Sequence, residues 1–216
     1  MINIRKATEQ DAKYIFEISR LIEDATKKRG TGIAKRSPEY LKEKILGGKA
    51  VIATNDDELV GFCYIESWEG KKFVATSGLI VKETYRGQGL SRKIKEEAFK
   101  LSREKFPQAK LFSITTSIAV LKLNIEMGYK PVTLSELTDD DEFWAGCKTC
   151  VNYPILQHTN RTHCLCTGLL YDPEVEEPAP KKNQENVLKE YARKFKIKWD
   201  NLSKYLNLKK NKSSQS

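Results

Sequence analysis

The chain of 216 residues has no apolar run approaching the roughly 20 residues of a membrane-spanning helix. Its opening Met-Ile-Asn-Ile-Arg-Lys reads as the start of a strand and not as a signal segment. The expectation is therefore a cytoplasmic protein with no membrane partner, in which Asn160-Arg161-Thr162 carries no meaning as a glycosylation site. No glycine-rich turn ends in Gly-Lys-Ser/Thr, which excludes a nucleoside-triphosphate P-loop. Nor is there a G-x-G-x-x-G with an acid about twenty residues on, which excludes that class of dinucleotide site. Histidine is scarce, with only His158 and His163, so any metal site would rest on cysteine.

Positive charge is plentiful but local. Of the formal net charge of +9, residues 181–216 hold a surplus of eight, leaving the body nearly neutral. That distribution makes nucleic acid an unlikely partner. The basic tail follows an extended Pro- and acid-rich linker over 173–182. Val187, Leu188, Tyr191, Ala192 and Phe195 keep helical spacing, and Trp199, Leu202, Tyr205 and Leu206 continue it. Amphipathic helices over 183–208 are expected, packed on the domain or on a second copy in a homodimer, before a disordered tail at 209–216.

The most informative run is Val81-Lys82-Glu83-Thr84-Tyr85-Arg86-Gly87-Gln88-Gly89-Leu90-Ser91-Arg92-Lys93-Ile94. An apolar strand end leads through a glycine-punctuated basic turn into an amphipathic helix. Glycines there allow close approach of an anion to main-chain N–H groups at the positive end of a helix. Around this turn the pattern predicts strands at Ala50–Thr54, Leu59–Glu66, Phe73–Val81 and Ala109–Thr115. A helix runs from the turn until Pro107 stops it, and another covers about Val120 to Met127 before Met127-Gly128-Tyr129-Lys130-Pro131-Val132.

Arg86-x-x-Gly89-x-Ser91 resembles the acyl-coenzyme A pyrophosphate loop of the GNAT superfamily of N-acyltransferases, with Ser91 where the family has Gly or Ala. The order of elements over residues 1–138 is also similar to a GNAT domain. The resemblance implies an α/β (α+β) fold with a mixed, mostly antiparallel sheet whose strands part at the cofactor. It implies acetyl-CoA or a similar acyl-CoA as co-substrate, bound by Ile80, Val81, Arg86, Gly87, Gln88, Gly89, Leu90, Ser91, Arg92 and Asn124. Two of the family's catalytic positions depart from its pattern. Ala75 stands where many members carry a Glu base, leaving Glu66, Ser77 or Thr76 to hold a water base. Asn124 stands where many carry a Tyr acid, leaving Tyr129, Tyr153 or an unassisted thiolate. The catalytic candidates are thus Glu66, Ser77, Asn124 and Tyr129. Cys63 is the only cysteine in this stretch and reads as a core residue, so direct amine attack on the thioester is expected.

The basic loop Lys27 to Pro38 offers Arg29 and Arg36 as clamps for a small-molecule amine acceptor that carries a carboxylate, such as an amino acid. Together with Phe143-Trp144-x-x-Cys147-x-x-Cys150, it is similar to bacterial enzymes that N-acylate glutamate. Cys147, Cys150, Cys164 and Cys166 fall in a segment, 139–172, expected to form a separate Zn2+ module, with reduced buried cysteines or an iron–sulfur or redox centre as alternatives. The competing functional reading is a non-catalytic adaptor that uses this module and the basic tail to contact nucleic acid or protein.

Overall fold

The computed structural model describes residues 1–29, 35–175 and Arg193. Residues 30–34 of the basic loop, the linker from 176, the helices expected over 183–208 (Arg193 apart) and the tail at 209–216 lie outside the described residues.

Seven strands form one sheet: β1 (Ile2–Lys6), β2 (Ala50–Asn55), β3 (Glu58–Trp68), β4 (Phe73–Val81), β5 (Lys110–Thr115), β6 (Lys130–Val132) and β7 (Thr167–Tyr171). Their order is β1-β2-β3-β4-β5-β7-β6, and only β4 and β5 run parallel. Helices α1 (Ile15–Arg29), α2 (Pro38–Leu46), α3 (Leu90–Lys105), α4 (Ile118–Glu126), α5 (Asp141–Ala145) and α6 (Tyr153–His158) complete the fold.

The two faces of the sheet follow the two-residue period of its strands, shifted by one on β3 at the irregularity that sets Ala53 against Gly61 and Thr54 against Leu59. Val51, Ala53, Val60 and Cys63 pack on Ile94, Ala98 and Leu101 of α3. On the other face Ile52, Phe62 and Tyr64 pack on Ile18 and Ile22 of α1 and Leu41 and Ile45 of α2. β3 is covered on both sides, which is why it reads as a nearly continuous apolar run. As the sequence predicts, Ser37 caps α2, its Oγ accepting from the Tyr40 N–H at 3.1 Å, with Pro38 in the first turn. α3 ends at Lys105, just ahead of Pro107.

β4 and β5 pair over only three positions, Phe73↔Lys110, Val74↔Leu111 and Ala75↔Phe112. Beyond these the two parallel strands separate, and Ser113 to Thr115 keep only their pairing with β7 on the other edge of β5. The sequence pattern predicts no strand at β7. Residues 139–172 do not stand apart as a module: their last strand is inserted between β5 and β6. Their helices share a third apolar cluster in which Trp144 and Leu156 meet Phe112 and Val132.

Candidate active site

Where β4 leaves β5 it keeps its bonds to β3, through Thr76↔Ile65, Ser77↔Tyr64, Ile80↔Phe62 and Val81↔Gly61, with a register shift between. The main-chain groups of residues 76–81 that face away from β3 have no strand partner in the described sheet. The shift is built around Gly78, whose φ of +67° favours glycine and whose missing Cβ would lie 2.6 Å from the Tyr64 ring. Unpaired N–H and C=O groups on a parted strand are ready to bond an extended, amide-bearing ligand.

At the end of β4 the chain turns through Gly87 and Gly89, with φ of +80° and +75°, into α3, with Gly89 as N-cap. A Cβ at either glycine would meet nothing within 4 Å, so the space before these amides is open. Among the described residues no acceptor is paired with the N–H groups of Gly87 to Ser91. The Arg86 Nε–H donates back to the Val81 carbonyl at 3.2 Å, which ties the turn to the strand end. Arg92 is engaged elsewhere, in ion pairs with Glu126 and, at 3.9 Å, with Glu96. The cradle is therefore a main-chain device: dipoles and amides, with little help from Arg92.

A cavity of about 470 Å³ opens between the parted strands, within the usual range for small-ligand sites. Ser77 to Ile80 line one wall and Ser113 to Ser117 the other. Arg36 and Tyr64 lie on the α1/α2 side, and Gly146, Cys147 and Cys150 close it from the C-terminal segment.

Residues 18–122 match the family model of the acetyltransferase (GNAT) family. This chain carries a GNAT acetyltransferase domain. Among curated proteins none matches. Solved structures share the fold. N-acetylglutamate synthase from Neisseria gonorrhoeae, complexed with coenzyme A and N-acetyl-glutamate, is 19% identical with a TM-score of 0.57. That match covers 80% of this chain but only 35% of the synthase chain. Diaminobutyrate acetyltransferase from Paenibacillus lautus, with its substrate and coenzyme A, is 13% identical (TM-score 0.54; 82% of this chain and 98% of that one). The yncA protein of Salmonella typhimurium, with its cofactor acetyl-CoA, is 14% identical (TM-score 0.54; 84% and 99%).

Within this GNAT domain the sequence candidates separate into three groups. Ile80, Ser77, Glu66 and Arg36 line the cavity. Asn124 and Tyr129 do not: both are buried, and among the described residues the two amide atoms of Asn124 have no hydrogen-bond partner. Burial pushes the Tyr129 phenol well above its usual range, which makes it a poor proton donor. Arg29 closes α1, and its side chain lies outside the described residues.

Glu66 is occupied. Its carboxylate accepts from Lys44 and, at 2.6 Å, from Lys49, and it also takes the Ser67 N–H at 3.0 Å. Burial alone would raise its pKa, but these three bonds outweigh it and hold the carboxyl below the usual range. A carboxylate so bound is a weak base with its oxygens engaged, which leaves it little capacity to hold the water base expected of Glu66, Ser77 or Thr76.

Arg36 is held by neutral groups. Its Nε–H donates to the Tyr64 hydroxyl at 2.5 Å and an Nη–H to the Lys35 carbonyl at 2.9 Å, with the guanidinium 5.8 Å from the Tyr40 ring centroid. Among the described residues no carboxylate pairs with it. The C-terminal segment braces this corner, the Lys35 N–H donating to Thr149 Oγ1 at 3.2 Å.

Three of the four clustered cysteines, Cys147, Cys150 and Cys166, line the cavity. All five cysteines are free thiols. Among the described residues no group of three or more His, Cys, Asp or Glu is arranged to hold a metal ion. Burial pushes the Cys147 thiol up to about 11 and raises Cys166 further. The zinc expectation for Cys147, Cys150, Cys164 and Cys166 therefore has no support in this geometry, and the segment is wall instead of metal module. Cys63, buried on β3, has its thiol pushed up to about 11 and donates to the Ser77 carbonyl at 3.3 Å, so it is no ready nucleophile.

Lys95 is a cavity residue that the sequence does not announce. It is 1% exposed, lines the cavity, and bonds Thr76 Oγ1. Its neighbours Ile94, Ala98 and Leu101 set the apolar stripe, and a lysine beside them reads as a surface residue. The only signal was its spacing of seven from Ser102, which is also buried on the same face.

Proposed function

We propose that this protein transfers an acetyl group, or a similar acyl group, from acyl-CoA to the amine of a small acceptor that carries a carboxylate, such as an amino acid. The observation that carries the acceptor assignment is Arg36: a cavity-lining cation that, among the described residues, is bonded only to neutral groups. A half-buried guanidinium without a counter-ion among the described residues is complementary to a ligand carboxylate, and a charge-assisted pair would fix the acceptor's orientation.

The donor side rests on the fit of the chain's own groups. Main-chain amides from Gly87 to Ser91 would take the pyrophosphate, and the parted edge of β4 from Thr76 to Val81 would bond the pantetheine arm and hold the thioester carbonyl. The acceptor nitrogen attacks the carbonyl carbon directly, the C–S bond breaks, and CoA leaves as its thiolate. Ser77 is placed on the cavity wall to orient a water that takes the acceptor's proton, a role Glu66 cannot fill while its carboxylate is held by two lysines.

A free-thiol release assay over amino acids, polyamines and a lysine peptide tests the reading. Arg36→Ala should raise the KM of a carboxylate-bearing acceptor by roughly 10- to 100-fold, the loss of one charge-assisted contact, while Arg36→Lys recovers part of it. An unchanged KM in Arg36→Ala, or a polyamine preference in the native protein, would overturn the assignment.

A further inference from the structure

The domain lacks a tyrosine at position 124, and the hydroxyl of Tyr129 is sealed in the core. The departing thiolate nevertheless needs a proton. Among the described residues Lys95 brings an ionisable amine to the parting of the strands. Lys95 extends from α3 to the cavity, and its Nζ donates to Thr76 Oγ1. Thr76 is the first β4 residue beyond the last β4–β5 pair, Ala75↔Phe112. The ammonium thus sits at the floor of the cleft, on the face of the sheet covered by α3 and α4.

Its surroundings give it no structural reason to be charged. Among the described residues no carboxylate pairs with Lys95, and its contacts are a neutral hydroxyl and the face of the Tyr129 ring, 5.5 Å from the centroid. Other charged groups on the elements around it are engaged with one another. Arg5 and Lys6 of β1 pair with Asp11 and Glu104, and Arg92 of α3 pairs with Glu96 and with Glu126 of α4. The titratable groups that face it are Cys63 of β3 and Tyr129, both protonated by burial. A buried ammonium whose one hydrogen bond is to a neutral hydroxyl, with no counter-ion among the described residues, costs several kcal/mol relative to an apolar side chain of the same length, and a cost of that kind in a cavity marks a functional candidate.

We propose that Lys95 is the general acid of the transfer, giving its proton to the sulfur of CoA as the C–S bond breaks. This rests on the acyltransfer reading above. The balance is complete: the acceptor nitrogen forms the C–N bond, the C–S electron pair goes to sulfur, and sulfur takes a proton from the Lys95 ammonium. The nitrogen sheds its surplus protons to water. One of them reprotonates Lys95, and one is released per turnover if the acceptor arrived as an ammonium. Burial lowers the Lys95 pKa to about 8, close to that of a thiol, so proton transfer between the two is nearly balanced. The remaining donors of the ammonium also favour negative charge on sulfur before the proton moves.

The test compares Lys95→Met and Lys95→Gln with the native protein by steady-state kinetics over a pH series, acetyl-CoA calorimetry and thermal melting. Native kcat should fall as pH rises past about 8, where the ammonium is lost. Lys95→Met should lower kcat by roughly 100-fold or more, as loss of a general acid does, with both KM values within a few-fold and acetyl-CoA still bound. The alkaline limb should disappear in both variants, and the melting temperature of Lys95→Met should hold or rise because an uncompensated buried charge has gone. An unchanged kcat or a retained alkaline limb overturns the proposal and leaves the acyltransferase reading intact. Loss of acetyl-CoA binding in both folded variants would make Lys95 a cofactor-positioning residue and would also overturn it. No turnover in the native protein with any carboxylate-bearing amine would remove the reading itself, and this proposal with it.

Discussion

Gly89→Asp is the sharpest perturbation of the cradle. Gly89 caps α3 with φ +75°, and a Cβ there would touch nothing within 4 Å, so the substitution brings no packing clash. The left-handed conformation costs a non-glycine residue about 1 kcal/mol, which in a protein of this size lowers Tm by roughly 2–4 °C. The effect on binding is larger. A carboxylate placed about 5 Å from a phosphate charge, at an effective dielectric constant near 20, repels it by about 3 kcal/mol, more than a hundredfold in Kd. Gly89→Ala separates the two contributions, because it carries the strain without the charge. Calorimetric titration of acetyl-CoA should show Gly89→Ala within about tenfold of the native Kd, and Gly89→Asp weakened by roughly 100-fold or more, with both melting close to the native protein. Native-like affinity in Gly89→Asp would place the pyrophosphate elsewhere and refute the reasoning from open amides.

Gly78→Ala should be far more damaging than its size suggests, because the new methyl would fall 2.6 Å from the Tyr64 ring in a left-handed backbone. A loss of about 2–3 kcal/mol in stability, together with a raised acceptor KM as Tyr64 releases Arg36, is expected in denaturant melts and kinetics. Glu66→Gln leaves Lys44 buried without its carboxylate, so a loss of about 3 kcal/mol is expected by the same melts. The folded pKa of Glu66 is held below its unfolded value. Its contribution is therefore fully present above the unfolded pKa and is lost as pH falls through the folded one. The Glu66→Gln difference should accordingly shrink in acid, and a difference that grows there would contradict the ion-pair assignment. Thiol titration of denatured protein should count five reactive thiols per chain; a lower count would mean a disulfide in the cavity wall.

Where the sequence was legible, one periodicity ruled a whole segment. The β4 run Phe73–Val81 and the Ser37-Pro38 start of α2 could be read directly, because alternation and capping are local signals. β7 was hidden: Thr167–Tyr171 is short, follows a cysteine pair that suggested metal chemistry, and gains its strand character from β5 and β6 on either side. The same applies to the site. Gly87 and Gly89 announce a cradle because their chemistry is backbone geometry. Glu66 looked like a free carboxylate because nothing in the sequence places Lys44 and Lys49 against it, and Lys95 looked like a surface residue because the parting of two strands creates the cavity it lines. Contacts between segments distant in sequence decide all three.

The central claim is that a carboxylate on the acceptor, met by Arg36, selects which amine receives the acyl group. Its most direct measurement is a competition with acetyl-CoA between an amino acid and the amine formed by its own decarboxylation, the two N-acetyl products being quantified by mass spectrometry. The account predicts that for at least one such pair the carboxylate-bearing amine takes nearly all of the acetyl group, and that this preference collapses in Arg36→Ala. Equal or greater acetylation of the decarboxylated partner across every pair would contradict it.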